Sequence, residues 1–456
     1  MIIVKFGGTS VEDAGAIERL RAIVQERWGE RPVVVVSALA RATDGLLKVA
    51  ALAASGNEKT TLELLADLQA RHEVTAIELL SNSDRTTATI ASLFDELRRL
   101  LRAVCALGEL TPRASDRIVS FGERLSTAIV TAALVEGGIA AELVDARECI
   151  ITDETYMAAV PRIDETNDRL RGRLLPLVRS GVVPVLGGFI ASNGKGQTTT
   201  LGRGGSDFSA AIVGAALGAE RLDIWTDVDG IRTTDPQLYA HTRHIETLSF
   251  YEAAELAHCG AKVLHPATLL PAIEKNIPVY VLNARNPGHP GTRLQAESDG
   301  SRSVKAIAVK TGIILLEASR PRTLQKGGLA REVFTALEQH GCLPDVASVS
   351  DTTVLLTLDR KDLVAVVSNA LGSKVQVRTE NGKALVSLVA DGIRDIPDLA
   401  PQVLGALQGL EVKLVAQGAS RWSVSLVVNE RDAAEAVRRL HEELLQPKEE
   451  LAFVAD

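Results

Sequence analysis

Over the first ~290 residues, short apolar runs alternate with longer amphipathic stretches, a pattern that predicts α/β layers. Ile2-Ile3-Val4, Val33 to Val36, Val182 to Leu186, Leu222 to Trp225 and Val279 to Leu282 read as buried strands. They are rich in β-branched residues, and several end directly at Gly, Ser or Thr. Helical spacing follows several of them, as at Glu18 to Arg27 and Ser209 to Leu217. Glu58 to Leu107 is Leu-rich with almost no Gly, and predicts a helical insertion at about 58–110 carried on the sheet domain.

The pattern changes after Asn286-Pro287-Gly288-His289-Pro290-Gly291, where Pro and Gly mark a domain boundary and place the first domain at 1–292. Beyond it the chain repeats itself. Val333, Ala336 and Leu337 recur as Val403, Ala406 and Leu407, an offset of 70. The same offset carries Ser350 to Ser420, Val354 to Val424, Leu356 to Leu426 and Asp362 to Asp432. Each copy reads strand, helix, two strands, helix, which fits a ferredoxin-like βαββαβ unit. The repeats fall at 305–378 and 383–456, with strands that interleave between them.

Composition narrows the function classes. A chain of 456 residues exceeds the ~100–200 of one domain, and 46% hydrophobic with 24% charged residues supports a full core. The net charge of −8, with no long Lys/Arg run, disfavours nucleic acid and acidic lipid as partners. Met1-Ile2-Ile3-Val4 has no basic flank or apolar stretch of signal-peptide type, and no uninterrupted apolar run approaches the ~18–20 residues of a membrane span. Cys105, Cys149, Cys259 and Cys342 lie far apart without a C-x-x-C pair, which predicts reduced thiols in a cytoplasmic protein with no structural metal. No H-E-x-x-H occurs, and Ser206 lacks the closing Gly of a G-x-S-x-G elbow, so zinc-enzyme and hydrolase readings fail.

Three segments carry candidate chemistry. Lys5-Phe6-Gly7-Gly8-Thr9-Ser10 follows a strand and precedes a helix, so backbone can approach a ligand at the glycines and N–H groups can face an anion. Lys5 then sits where it would bridge phosphates; the plain alternative is a tight turn with a solvated lysine. Gly187-Gly188-Phe189 ends a second strand and opens a polar loop, Ser192 to Thr200, before Leu201-Gly202-Arg203-Gly204-Gly205-Ser206-Asp207 and an apolar helix. Arg203 suits a bidentate anion clamp, and Asp207 either compensates the helix dipole or orients a Lys or a Mg²⁺ water. Taken with the first loop, this favours a nucleotide site. The third segment, Trp225-Thr226-Asp227-Val228-Asp229-Gly230 with Thr233-Thr234-Asp235-Pro236, gathers polar groups at a strand's C-terminal end, where α/β sheets bind ligands. Ser37, Thr43, Glu123 and Lys262 each read as ordinary turn or cap residues when taken alone.

In combination these segments resemble the aspartate kinase family, of the monofunctional kind with two C-terminal ACT repeats. The residues that carry the resemblance run in order: Lys5 to Ser10, Ser120-Phe121-Gly122-Glu123, Thr198 to Asp207, Trp225 to Ile231, Thr233 to Pro236 and Gly260 to Leu269. The resemblance implies an amino-acid-kinase-type α/β sandwich with a mainly parallel central sheet, followed by two ferredoxin-like ACT domains. It also implies transfer of the γ-phosphoryl group of ATP, with Mg²⁺, to the β-carboxylate of L-aspartate, opening the route to lysine, threonine and methionine. On that basis Lys5 and Asp207 are catalytic. Lys5, Gly7, Gly8, Ser37, Thr226, Asp227, Arg232 and Lys262 belong to the ATP site. Thr43, Glu123, Arg203, Gly204, Gly205 and Ser206 belong to the aspartate site. Arg232 and Gln237 depart from the family, which commonly has an aromatic and a basic residue there.

The ACT resemblance implies lysine or threonine as effector and a homodimer, or a tetramer, built through these repeats. Thr323, Lys326, Leu329, Asp345, Ser350 and Asp351 are the effector-site candidates. Lys326 stands where a small polar residue is more usual, and a cation there would repel a lysine ammonium. Two other readings compete: another small-acid kinase such as glutamate 5-kinase, and a non-catalytic amino-acid sensor.

Overall fold

The structure, a computed structural model, describes residues 1–261, 266–298, 300, 303–320, 328–372 and 375–446. The chain divides into two compact units: Met1–Ile231 with Leu264–Ala296, and Arg232–Val263 with Glu297–Asp456.

The first unit is built on a mainly parallel sheet. Its strands lie in the order Ala141–Val144, Val183–Gly187, Pro32–Val36, Ile2–Phe6, Leu222–Thr226, Val279–Asn283, Thr292–Gln295, and only the last pair is antiparallel. Ile2–Phe6 and Pro32–Val36 are buried at every position, and apart from Lys5 both are apolar, as helices covering both faces require. Ile2, Val4 and Phe6 point into a cluster with Ile17, Leu20, Ile129 and Val130. Ile3 points the other way, towards the helix Gly205–Leu217, where a Cβ on Gly214 would stand 3.4 Å from its Cγ1. The long helices Glu58–Leu79 and Asp84–Leu107 add Leu65, Ala76, Ile90, Phe94 and Leu101 to the first cluster.

Pro112–Glu136 is the helical stretch among the described residues with the length and composition of a membrane span. Its most apolar window is 72% buried, and it carries Asp116 and Glu123 into the interior, so it is a core element.

The polar segment read as a loop from Ser192 to Thr200 is instead a β-hairpin. Ile190–Asn193 pairs antiparallel with Thr198–Thr200, and Ile151–Thr152 completes a small sheet. The strand signal is hidden because the buried positions are polar: Ser192, Asn193, Thr199 and Thr200 are all buried. They are satisfied by hydrogen bonds, among them Thr152 Oγ1 to Thr199 Oγ1 at 2.8 Å and the Asn193 side chain accepting from Lys195 and Gln197 N–H.

In the second unit a six-stranded sheet runs Ala347–Val349, Thr353–Leu358, Ala306–Ser319, Gln376–Val389, Ser423–Asn429, Val412–Ala416. The two long central strands stand one repeat length apart and serve both halves. Ile314 to Ser319 pairs with Thr353–Leu358 in the first half, while Lys383 to Val389 pairs with Ser423–Asn429 in the second. The strands pair with each other along their length, and the register slips near Gly312 (φ 72°) and Gly382 (φ 65°), where each strand passes from one half to the other. Leu329–Glu338 with Asp362–Leu371, and Leu399–Ala406 with Ala433–Leu444, cover the two halves.

Residues 232–261 pack within this unit. Their helix Phe250–His258 begins with a capping box between Ser249 and Glu252, and Glu252 also accepts from Asp391 N–H at 3.1 Å. Thr233 meets buried His441 at 2.8 Å, and Glu255 accepts from Ser420 and Ser423.

Candidate functional site

Four parallel strands of the first unit end on the same side: Ile2–Phe6, Pro32–Val36, Val183–Gly187 and Leu222–Thr226. Later strands lie on both sides of Ile2–Phe6, so this is a switch point in strand order, where open α/β sheets hold ligands. Lys5 is the next residue after Ile3 on its face of the strand, the face covered by Gly205–Leu217. Asp207 lies in the first turn of that helix, which enters through Gly204 at φ 70°. Lys5 Nζ and Asp207 Oδ1 are 2.6 Å apart, with side chains only 10% and 14% exposed.

Small residues let the surrounding loops close on one another. Gly7 N–H donates to Trp225 O at 3.0 Å, and a Cβ on Gly7 would stand 3.7 Å from Lys5 Nζ. A Cβ on Gly8 would meet Ala38 O at 3.3 Å, and one on Gly122 would meet Ala38 Cβ at 2.7 Å and Thr43 Oγ1 at 3.9 Å. Gly187 would touch Glu123 Cβ at 3.0 Å, and Gly188 would collide with Ser206 at 2.7 Å. Ser37 N–H donates to Phe6 O. Lys5, Gly7, Gly8, Ser37, Thr43, Glu123, Gly204, Gly205, Ser206 and Asp207 are thereby gathered at one end of the sheet.

Glu123 stands in the first turn of Phe121–Glu136, 3% exposed. One carboxylate oxygen accepts from Ala38 N–H at 3.3 Å, while the other is buried without a hydrogen-bond partner among the described residues. Loss of solvent pushes its pKa from 4.5 up to about 8, more than the Ala38 bond lowers it. A buried acid with one free oxygen is a ready partner for a cation. Arg203 is the complement: exposed, with no ion pair among the described residues.

Thr226 ends the strand and Asp227 follows it at the same end, and the Thr226 hydroxyl donates to Asp227 at 3.2 Å. Arg232 belongs to the second unit, where its guanidinium donates to the side chain and carbonyl of Thr242. Gln237 donates its N–H to Asp235. Lys262, Thr323 and Lys326 lie outside the described residues. Leu329 is 3% exposed in the core of the first repeat. Asp345 is paired with Lys310 at 3.0 Å, and Asp359 binds the same ammonium at 3.0 Å. Ser350 closes the turn to Thr353, while Asp351 is exposed.

Two residues at the site escape sequence reasoning. Phe189, between Gly188 and the hairpin, holds φ 63°, its ring edge lies where a Cβ on Gly205 would be 2.7 Å away, and its N–H donates to Ser209. Asp116 is 1% exposed and accepts from Thr200 and Met157. Neither has a local motif; the Gly-Gly pair before Phe189 is the only hint.

Among the described residues no group of three or more His, Cys, Asp and Glu is placed to hold a metal ion.

The model of the amino acid kinase family matches residues 1–283, and that of the ACT domain matches 386–444. The lysine-sensitive aspartokinase 3 of Escherichia coli is 34% identical over 459 residues, covering 98% of this chain and 99% of that one. Crystal structures of aspartokinase III of E. coli, one in complex with aspartate and ADP and one with lysine and aspartate, each superpose with TM-score 0.83. Both are 33% identical and cover 98% of this chain and 100% of theirs.

Proposed function

The chain belongs to the amino acid kinase family and within it to the aspartokinases, and we propose that it uses the gathered residues to move the γ-phosphoryl group of ATP to the β-carboxylate of L-aspartate. The observation that carries this reading is the Lys5–Asp207 pair held among the glycine loops, at 2.6 Å.

The acceptor is a carboxylate with a solution pKa of ~3.9, so it is already ionised and needs no general base. One P–O bond forms to the β-carboxylate as the bond from the γ-phosphorus to the bridging oxygen breaks, and ADP leaves with that electron pair. No proton moves. What remains for the protein is to hold two anions in line and offset charge on the transferring group. Lys5 faces the phosphates beside the Gly7 and Gly8 backbone, and Asp207 keeps its ammonium aimed. Arg203 takes the α-carboxylate of aspartate in its fork, Glu123 takes the α-ammonium on its free oxygen, and Thr43 adds a hydroxyl. Thr226 and Asp227 border the nucleotide. Mg²⁺ bound with the nucleotide would have Asp207 as the carboxylate to orient its water. Such an ion would neutralise phosphate charge.

For the regulatory unit we take lysine as the effector, because a relative alike over its whole length is lysine-sensitive. Its ammonium groups would meet Asp345, Ser350 and Asp351. The outer strand Ala347–Val349, exposed at every position, offers an edge for pairing with a second copy. Relatives alike over full length disfavour the sensor and the glutamate kinase.

The deciding experiment incubates the chain with Mg-ATP and L-aspartate, traps acyl phosphate with hydroxylamine, and repeats the assay with millimolar lysine or threonine. Aspartate-dependent hydroxamate supports the reading, and suppression by one amino acid assigns the effector. No aspartate-dependent product from folded protein would sink it.

A further inference from the structure

The carboxylate of Asp116 is nearly sealed from solvent, yet no cation pairs with it among the described residues. It gathers hydrogen bonds from two distant stretches of chain. Thr200 donates its N–H at 3.1 Å and its hydroxyl at 2.7 Å, and Met157 N–H lies 3.1 and 2.9 Å from the two oxygens. Met157 holds φ 69°, a conformation that a side chain other than glycine adopts only under constraint.

The two stretches run against each other. Ala159 N–H donates to Thr200 O at 2.9 Å, and a Cβ on Gly202 would stand 3.2 Å from Met157 O. Leu201 N–H donates to Phe189 O. Arg203 follows immediately, before the helix that supplies Asp207. Arg203 is exposed and has no ion pair among the described residues, so the backbone that leads to it is what sets where its side chain starts.

We propose that Asp116 is a positioning residue for the substrate: by clamping Thr200 and Met157 it fixes the loop that presents Arg203 to the α-carboxylate of aspartate. The inference rests on the aspartate kinase reading of Arg203. An amide in place of the carboxylate removes the charge assistance from these bonds and, keeping one acceptor oxygen, turns an NH2 donor against the Thr200 and Met157 donors. The loop loses its one placement, and aspartate affinity falls before the chemistry does.

The test uses the full chain and steady-state kinetics with both substrates. Asp116→Asn raises the KM for aspartate roughly tenfold, the equivalent of about 1.4 kcal/mol, with smaller changes in kcat and in the KM for ATP. In an Arg203→Lys background the same substitution adds much less, because the guanidinium fork it serves is gone. A merely structural role would leave the two effects multiplicative. Equal KM values in Asp116→Asn and the parent, or full additivity with Arg203→Lys, overturn the proposal. Should Asp116→Asn fail to fold, Thr200→Val removes one donor at equal volume and raises the same KM, and Thr200→Ser restores it. An unchanged KM in Thr200→Val then overturns the proposal. A parent enzyme that turns over ATP without aspartate dependence refutes the functional reading first, and this inference with it.

Discussion

Lys5 Nζ lies 2.6 Å from Asp207 Oδ1, joining the end of the first strand to the first turn of a helix that begins some 200 residues later. The pair is nearly buried, so each charge depends on the other for compensation. Lys5→Ala is expected to abolish measurable turnover. Asp207→Asn leaves the ammonium misdirected and lowers kcat by about 10²–10³, while the KM for aspartate moves little. A coupled ADP assay on both variants checks the split.

Glu123 makes the free enzyme sensitive to pH. Its folded pKa of about 8 lies above the ordinary 4.5, so the folded chain binds a proton that the unfolded chain releases. Stability therefore falls as pH rises from 4.5 through 8, by on the order of a few kcal/mol, and Glu123→Gln flattens that slope. Urea unfolding at pH 5, 7 and 8.5 measures it. An α-ammonium held by Glu123 requires the ionised form, so aspartate binding at pH 7 releases a proton. Calorimetry in buffers of different ionisation enthalpy detects that release.

Gly188 has no room for a methyl group. A Cβ there would lie 2.7 Å from Ser206 Cβ and 2.8 Å from its Cα, and the backbone of a helix start cannot swing away as a flexible side chain would. Gly188→Ala is expected to cost about 1–3 kcal/mol of stability and to raise the KM for aspartate, because it displaces the turn that carries Ser206 and Asp207. Thermal melts and kinetics on one preparation read both.

His72 acts in the opposite sense at acid pH. Burial holds its pKa near 4, below the ordinary 6.5, against the edge of Phe94 and with Nδ1 2.7 Å from Leu68 O. The unfolded chain binds the proton more readily, so the contribution is complete above pH 6.5. It is lost as pH falls towards 4, by about 3 kcal/mol in all. His72→Gln is expected to lessen the loss of melting temperature between pH 7 and pH 4.5.

In the regulatory unit, exposed Asp351 is the more accessible of the two acids proposed for the effector site, since Asp345 already faces Lys310. Asp351→Ala is expected to raise the lysine concentration for half-inhibition roughly tenfold, a single charge-assisted contact. Turnover without lysine stays unchanged. Dose–response curves for the parent and the variant decide it.

The order of elements in the first unit was legible because buried parallel strands are apolar on both faces, so Ile2 to Val4 and Val33 to Val36 announce themselves. The glycine pairs were legible for a related reason: close approach of backbone leaves few residue types available. The offset of 70 marked a duplication, since each copy must fill its own core with the same pattern. Tertiary structure alone decided the rest. Ser192 to Thr200 became a hairpin because buried hydrogen bonds, which leave no hydropathy signal, compensate its polar side chains. The long strands Ala306–Ser319 and Gln376–Val389 serve both repeats because pairing is settled by neighbours in space, not along the chain. Asp116 and the protonation of Glu123 depend on burial, and burial is a property of the packed chain rather than of any local run of residues.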